Sequence, residues 1–237
     1  MNQFATRMLA IGLAGCACAP ALAAEDSPFS ANVAVTSDYR FRGVSQSAKD
    51  PALQGGVDYA HPSGLYLGAW GSTIDFEGFD DDANLEVDLY GGYKWSGAGV
   101  DWDVGLLHYA YPGSDSDNDL PFTEIYFGGT YGPVFAKYYY TNDYTGPTDE
   151  AAYYLTAGAN FELGGGYSLG ISLGQSAGDG VDESFGDSYV DYKLGVSKEF
   201  AGFGFNLAYV DTDIDPEIED DVFNSEGTVV LTVSKVF

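Results

Sequence analysis

Charged residues two positions apart are the feature of this sequence best suited to chemistry. Asp38, Arg40 and Arg42 follow this spacing in the segment DYRFR, and Asp191 and Lys193 repeat it. On an extended strand, side chains two positions apart point to the same face, so each group places charges of both signs on one surface. Such surfaces attract and orient charged or polar solutes. The chemistry that they predict is solute recognition.

A catalytic alternative depends on one histidine. His108, Ser114 and Asp115 have the residue types of a serine hydrolase, and a lipid hydrolase of the outer membrane is one function that they permit. The chain has only two histidines and no further motif of this kind. We therefore interpret His108 as an interfacial ring and expect no enzymatic activity and no catalytic residue.

A metal alternative depends on an acidic segment. Residues 115–119 read DSDND and begin like a calcium loop, but Leu120 replaces the glycine and Tyr126 replaces the bidentate glutamate. The sequence therefore predicts no EF-hand, no metal site and no cofactor. A looser oxygen site in this segment or in residues 211–221 stays open as an alternative.

The strands that must position the charged residues are predicted from regularly spaced tight turns. These turns recur about every 34 residues, reading HPSG at 61–64, SGAG at 96–99, YGPV at 131–134, LGGG at 163–166 and AGFG at 201–204. Between them lie two β-type runs separated by a longer, mostly acidic loop. Short turns on one side and long loops on the other are typical of up-and-down antiparallel barrels of bacterial outer membranes.

Period-two alternation shows which face of each strand is apolar. Val100, Trp102 and Val104 alternate with Asp101 and Asp103, and other runs repeat this pattern. A soluble β-sandwich also alternates, but aromatic residues flank every tight turn, as in the interfacial belts of membrane barrels. We therefore predict an all-β, antiparallel transmembrane β-barrel of about twelve strands, with ten or fourteen as alternatives, and no helix beyond the leader. The predicted strands are residues 31–42, 52–61, 64–74, 85–95, 100–110, 121–131, 133–142, 150–161, 167–176, 187–200, 203–212 and 227–237.

The polar faces of these strands are predicted to line the lumen. The charged residues that we expect there are Asp38, Arg40, Arg42, Asp58, Glu86, Asp88, Lys94, Asp101, Asp103, Glu124, Lys137, Asp191 and Lys193. Two interpretations are open. The charges form a polarised constriction in which the arginines oppose acids on other strands, or they form a web of buried salt bridges that fills a narrow interior.

The N-terminus predicts export. Residues 1–24 combine an arginine, a short apolar run and the small-residue site Ala21-Leu22-Ala23, as in a secretory signal peptide. Residues 25–237 then form the barrel domain. Both cysteines fall in the leader, and Cys16 also fits a lipoprotein cleavage site. We expect the protein in the outer membrane of a Gram-negative bacterium, in contact with its lipid and lipopolysaccharide.

Charge and composition exclude several classes of protein. The chain is 45% hydrophobic and 16% aromatic, which is too apolar for a disordered chain. After the leader its net charge is −28, which argues against nucleic-acid binding. The predicted outer loops, residues 75–84, 112–120, 142–150, 176–188 and 211–226, hold 23 of the 36 acidic residues. These acidic side chains favour cations at the pore mouth. Alternatively, they serve only to keep the loops soluble and to bind divalent cations nonspecifically.

Three segments resemble a known family. AVTSDYRFRGVSQS at 34–47, PALQGGVDYAHPSGLYLGAWGS at 51–72 and the closing VSKVF are similar to the TorF family of proteobacterial porins. The resemblance implies an outer-membrane barrel that passes small polar solutes. The acidic loops in addition predict that the pore prefers cations. The last strand, ending at Phe237, resembles the signal read by the barrel-assembly machinery. The alternative is a structural or adhesive barrel with a plugged lumen and cation-binding acidic loops.

Overall fold

Twelve long strands close into one antiparallel barrel. A computed structural model describes residues 27–76, 83–115, 120–145, 149–214 and 224–237, and the predicted leader lies outside them. The barrel strands are β1 (Phe29–Thr36), β4 (Ala52–Ala60), β5 (Leu65–Thr73), β6 (Leu85–Gly97), β7 (Val100–Ala110), β8 (Phe122–Tyr131), β9 (Val134–Thr141), β10 (Ala152–Gly164), β11 (Tyr167–Ala177), β12 (Tyr189–Phe200), β13 (Phe203–Thr212) and β14 (Thr228–Val236). Two short strands, β2 (Arg40–Phe41) and β3 (Val44–Ser45), pair only with each other.

The order of the strands confirms the predicted up-and-down barrel. Each barrel strand pairs antiparallel with the next one along the chain, and β1 closes the ring by pairing with both β4 and β14. All five predicted tight turns connect consecutive strands at one end of the barrel, together with both ends of the described chain. We call this the turn end and the opposite end the loop end.

Burial follows the period-two pattern that the sequence predicts. On β5, Leu65 and Leu67 are 56% and 64% exposed. Tyr66 and Ser72, which have the opposite parity on the same strand, are 9% and 1% exposed. Large apolar side chains are exposed around the barrel, among them Val33, Val57, Leu89, Leu106, Ile125, Phe127, Leu155, Ile171, Leu194, Leu207 and Leu231. This continuous apolar outer surface is what a barrel surrounded by lipid requires.

The first predicted strand is wrong in its second half. β1 ends at Thr36, and the chain then turns into the barrel as a small hairpin made of β2 and β3. Its two central residues, Arg42 and Gly43, have φ angles of 48° and 87°, which is the type I′ geometry favoured in two-residue hairpins. The hairpin shortens β1 because its own ladder competes with continuation of the barrel strand.

The expectation of no helix beyond the leader is also wrong. Helix α1 (Asp179–Phe185) follows β11 at the loop end. Asp179 and Asp182 lie in its first turn, where negative charge stabilises a helix, and Gly186 ends it in the left-handed conformation with φ of 81°. Within the described ranges, no helix combines the length and apolar character needed to cross a membrane.

Candidate constriction inside the barrel

Residues 38–47, which we call the inward hairpin, lie within the barrel at its loop end. Tyr39 donates its hydroxyl proton to Glu86 Oε1 on β6 at 2.8 Å. The Phe41 ring packs edge-on against Tyr109 on β7, with centroids 5.6 Å apart. A Cβ on Gly43 would collide with Thr212 on β13 and lie 3.1 Å from the Cβ of Asp191 on β12. The hairpin therefore reaches walls on widely separated parts of the ring.

Arg42 occupies the centre of these contacts. Its Nη2 donates to Glu124 Oε1 on β8 at 2.5 Å, and its guanidinium carbon lies 4.4 Å from the ring centre of Tyr154 and 5.6 Å from that of Tyr139. Arg42 is 3% exposed and Glu124 is fully buried. Burial acts to lower the pKa of Arg42, but the carboxylate of Glu124 is among the groups that outweigh it, so that pKa lies well above its usual value. The guanidinium therefore stays charged.

Arg40 ties the hairpin to the segment before β14. Its Nε donates to Asp38 Oδ2 at 2.6 Å, and its Nη1 donates to the carbonyl oxygens of Gly43 at 3.0 Å and Asn224 at 2.6 Å. The backbone N–H of Ser45 also donates to the Asn224 carbonyl, at 3.0 Å. These bonds hold the base of the hairpin against one side of the loop end.

Tyrosine hydroxyls, and not only basic side chains, are partners of the inward-facing carboxylates. The donors and acceptors are Tyr90 to Asp58 at 2.5 Å, Tyr109 to Glu124 at 3.0 Å, Tyr154 to Asp191 at 3.2 Å and Tyr66 to Asp103 at 2.6 Å. Sequence reasoning missed this network, because it assigned the aromatic residues beside the tight turns to interfacial belts. The alternation along each strand was the available signal, since it places these tyrosines on the inward face.

The thirteen charged residues fall into three groups by position. Eight are buried: Asp38, Arg40, Arg42, Asp58, Glu86, Asp88, Glu124 and Asp191. Lys94, Asp103, Lys137 and Lys193 are half-buried, and Asp101 is exposed at the turn end, where it accepts a bond from Ser96 at 2.5 Å. Asp38, Arg40 and Arg42 lie on the inward hairpin or at its base, because β1 ends before them.

Ion pairs accompany the phenol–carboxylate bonds in the described interior. Lys137 Nζ lies 3.1 Å from Asp103 Oδ2 on β7 and 3.9 Å from the ring centre of Tyr126. Arg40–Asp38 and Arg42–Glu124 are further pairs, and both are buried. The interior thus combines ion pairs with phenol–carboxylate bonds.

The residues of the catalytic and metal alternatives lie elsewhere. His108 is on the outward face of β7, where its Nδ1 is 2.9 Å from Thr123 Oγ1. Residues 116–119 of the calcium-like segment and residues 215–221 of the second acidic segment are outside the described residues. The described part of the chain contains no group of three or more His, Cys, Asp or Glu side chains placed to hold a metal ion.

Comparisons with known proteins agree on the fold. A family model described as a bacterial protein of unknown function, Gcw_chp, matches residues 21–237. A search of curated proteins finds no match. Similar solved structures are the KdgM porin (TM-score 0.55, 10% identity, 87% of this chain and 96% of that one), the NanC porin (0.56, 8%, 88% and 98%) and the COG4313 outer membrane channel from Pseudomonas putida F1 (0.51, 12%, 90% and 97%). The barrel therefore has the fold of outer-membrane porins and channels.

Proposed function

The chain belongs to the Gcw_chp family of bacterial proteins of unknown function, and from its closed barrel and the similarity of that barrel to porins we propose that it is an outer-membrane porin for small polar solutes. The observation that carries the proposal is the inward hairpin, which places Arg42 against Glu124 inside a closed barrel. Barrels of about eight strands are filled by side chains and those of about sixteen hold open channels. A twelve-stranded barrel narrowed by a hairpin suits solutes of small cross-section.

The charge of the interior supports a preference for cations. The thirteen charged residues comprise eight acids and five bases, and the loop end adds acidic side chains such as Asp182, Glu183 and Asp187, all exposed. Negative potential at a mouth raises the local concentration of cations. One similar structure is described as the KdgM porin in complex with disordered oligogalacturonate. An interior with excess negative charge disfavours such an acidic oligosaccharide here.

The proposal also places the protein in the outer membrane and in the TorF family. The apolar outer surface supports insertion into the outer membrane after removal of residues 1–24, with lipid, lipopolysaccharide and the barrel-assembly machinery as partners. The motif YRFRG, which resembles the TorF family, lies in the inward hairpin, and SGLYLG spans the end of the preceding turn and the start of β5. Membership of the TorF porins is part of this proposal.

Planar-bilayer recordings of the purified protein test the proposal. We expect discrete conductance steps, and under a salt gradient a reversal potential of the sign that indicates cation preference. A reversal potential of the opposite sign would remove the cation preference, and absence of any conductance would remove the porin function. Heat-modifiable gel mobility of the protein extracted from outer membranes provides the check on folding and location.

A second candidate function follows from how completely the hairpin contacts are buried. Arg42 and Glu124 are almost inaccessible to solvent, which also suits a barrel plugged at its loop end that serves a structural or adhesive role through its acidic loops. Liposome swelling separates the two functions. Sugar-loaded liposomes containing the plugged barrel would swell no faster than empty ones, whereas a porin increases the rate.

A further inference from the structure

The barrel wall around Arg42 is built to receive a guanidinium group. Glu124, Tyr139 and Tyr154 lie on the consecutive strands β8, β9 and β10, and we call them the wall cage. Glu124 supplies a carboxylate to Arg42 Nη2 at 2.5 Å, and the two tyrosine rings lie 5.6 and 4.4 Å from the guanidinium carbon. We propose that the wall cage is a binding site for an organic cation of the guanidinium class, occupied in this structure by Arg42 of the same chain.

Two hydrogen bonds from the barrel wall position the cage. Tyr109 on β7 donates to Glu124 Oε2 at 3.0 Å, which leaves Oε1 directed at the cation. Tyr154 donates to Asp191 Oδ1 at 3.2 Å, which orients its ring beside the guanidinium. Both supporting residues belong to barrel strands, so these two hydrogen bonds do not require the hairpin. A site that is assembled on strands in this way is preorganised for a ligand.

The chemistry of the cage selects planar organic cations. Guanidinium is more weakly hydrated than ammonium, stacks on aromatic faces and donates in a rigid fork to a carboxylate, while aromatic rings attract cations through their negative faces. Sodium and other small inorganic ions lose more hydration energy in such a site. The cage therefore favours solutes that carry guanidinium over inorganic cations.

Unpaired polar atoms beside the cage show that Arg42 satisfies it incompletely. Among the described residues, Arg42 Nη1 and Asp191 Oδ2 are buried and have no hydrogen-bond partner. Asp191 is only 7% exposed, and buried carboxylate oxygens without a partner are costly. A free guanidinium solute is not held by the backbone of the hairpin, so it can take orientations in the cage that Arg42 cannot. The wall thus offers more acceptor sites than the tethered side chain uses.

The resident arginine sets the concentration range in which a solute competes. A group tethered by a short flexible segment has an effective concentration of roughly millimolar, and that of Arg42 is at least as high because hydrogen bonds hold its hairpin in place. A guanidinium solute must approach that range to displace Arg42, and displacement releases the hairpin from the wall. This displacement step rests on the proposed porin function, in which the solute enters the lumen and reaches the cage from the loop end.

Binding of methylguanidinium to the Arg42→Ala variant tests the proposal. In detergent, we expect methylguanidinium to raise the midpoint of thermal loss of the heat-modifiable gel form, in a saturable manner, whereas sodium at equal ionic strength does not. The wild type should bind at least about tenfold more weakly, because Arg42 occupies its site for most of the time. The double variant Arg42→Ala/Glu124→Gln should show no such rise.

The controls keep this test independent of conduction and of folding. Lys49→Ala, which removes an exposed cation outside the cage, should behave as the wild type does. If Arg42→Ala does not fold, Arg42→Lys keeps the charge without the fork, and methylguanidinium should stabilise it at higher concentration than it does the alanine variant, because the ammonium still competes for Glu124. Saturable binding by a barrel that does not conduct would support the cage and remove the porin function. Conduction without saturable, Glu124-dependent binding would overturn the cage proposal.

Discussion

Arg42 and Glu124, 82 positions apart in the sequence, form an ion pair inside the barrel with Nη2 and Oε1 2.5 Å apart. One partner lies on the turn of the inward hairpin and the other on the wall strand β8. The pair therefore connects a loop to the opposite wall across the lumen. It stabilises the narrowed state of the barrel, because separating two buried charges leaves each one without its partner.

Glu124→Gln should open the lumen. Removing one partner of a buried pair costs about 3–5 kcal/mol when the other charge stays buried, so the hairpin should leave the wall and carry Arg42 into water. We expect a larger single-channel conductance in planar bilayers. Glu226→Gln, which alters the exposed pair with Lys49, is the matched control and should change conductance little. Equal conductance of wild type and Glu124→Gln would contradict the role of the pair.

Gly43→Ala should displace the hairpin for steric reasons. Gly43 has φ of 87°, and a Cβ there would collide with Thr212 and press on Asp191. Gly202 has a similar φ of 79° but open space around it, so Gly202→Ala introduces the backbone strain alone, about 1–2 kcal/mol. We expect raised conductance for Gly43→Ala only. The same conductance in both variants would show that the packing of the turn does not control the lumen.

Gly105→Ala should destabilise the barrel more than Gly97→Ala does. A Cβ on Gly105 would lie 2.6 Å from the Gly91 carbonyl oxygen and would overlap the Tyr126 phenol. At Gly97 the nearest atom, Trp95 Cδ1, is 3.9 Å away. Overpacking of a close-packed interior costs about 1–3 kcal/mol. Urea unfolding in detergent, followed by tryptophan fluorescence, should show this difference, and equal midpoints would argue against tight packing of the tyrosine network.

Neutralising acids at the loop end should weaken cation preference in a salt-dependent way. Asp149, Glu183 and Asp187 are exposed, so their replacement by Asn, Gln and Asn should leave the fold unchanged. The charges act across a screening length of about 10 Å at 0.1 M salt and about 3 Å at 1 M. We expect a smaller reversal potential at low salt and little difference at high salt. An unchanged reversal potential at low salt would assign selectivity to the interior alone.

The barrel itself was predictable because its signals are local. Turn residues set strand ends, and alternation such as that of Leu65, Tyr66 and Leu67 assigns each side chain to a face. Twelve strands and the outward apolar surface followed from these two regularities. They failed at residues 38–42, where alternation continues although the strand has ended. The sequence pattern is the same for a strand and for a short hairpin folded against it.

The partners inside the barrel were less predictable because they depend on distance across the lumen. The alternation along each strand placed Asp58 and Asp191 on the inward face. Their hydrogen bonds to Tyr90 and Tyr154, however, depend on strand stagger and on the space that neighbouring glycines leave. A Cβ on Gly174, for example, would overlap the Tyr154 hydroxyl and Asp191 Oδ2. The sequence contains these residue types without indicating which of them meet.

The sequence by itself determined the all-β class, the closed up-and-down arrangement and the faces of the strands, since each depends on neighbours a few residues apart. Only the tertiary structure decided that Arg42 meets Glu124 between the rings of Tyr139 and Tyr154. That contact requires the inward hairpin to fold back into the barrel. The strands on either side of this hairpin, β1 and β4, are themselves part of that barrel. Local periodicity carries no information on such a contact, because its free energy comes from groups that only the closed barrel brings together.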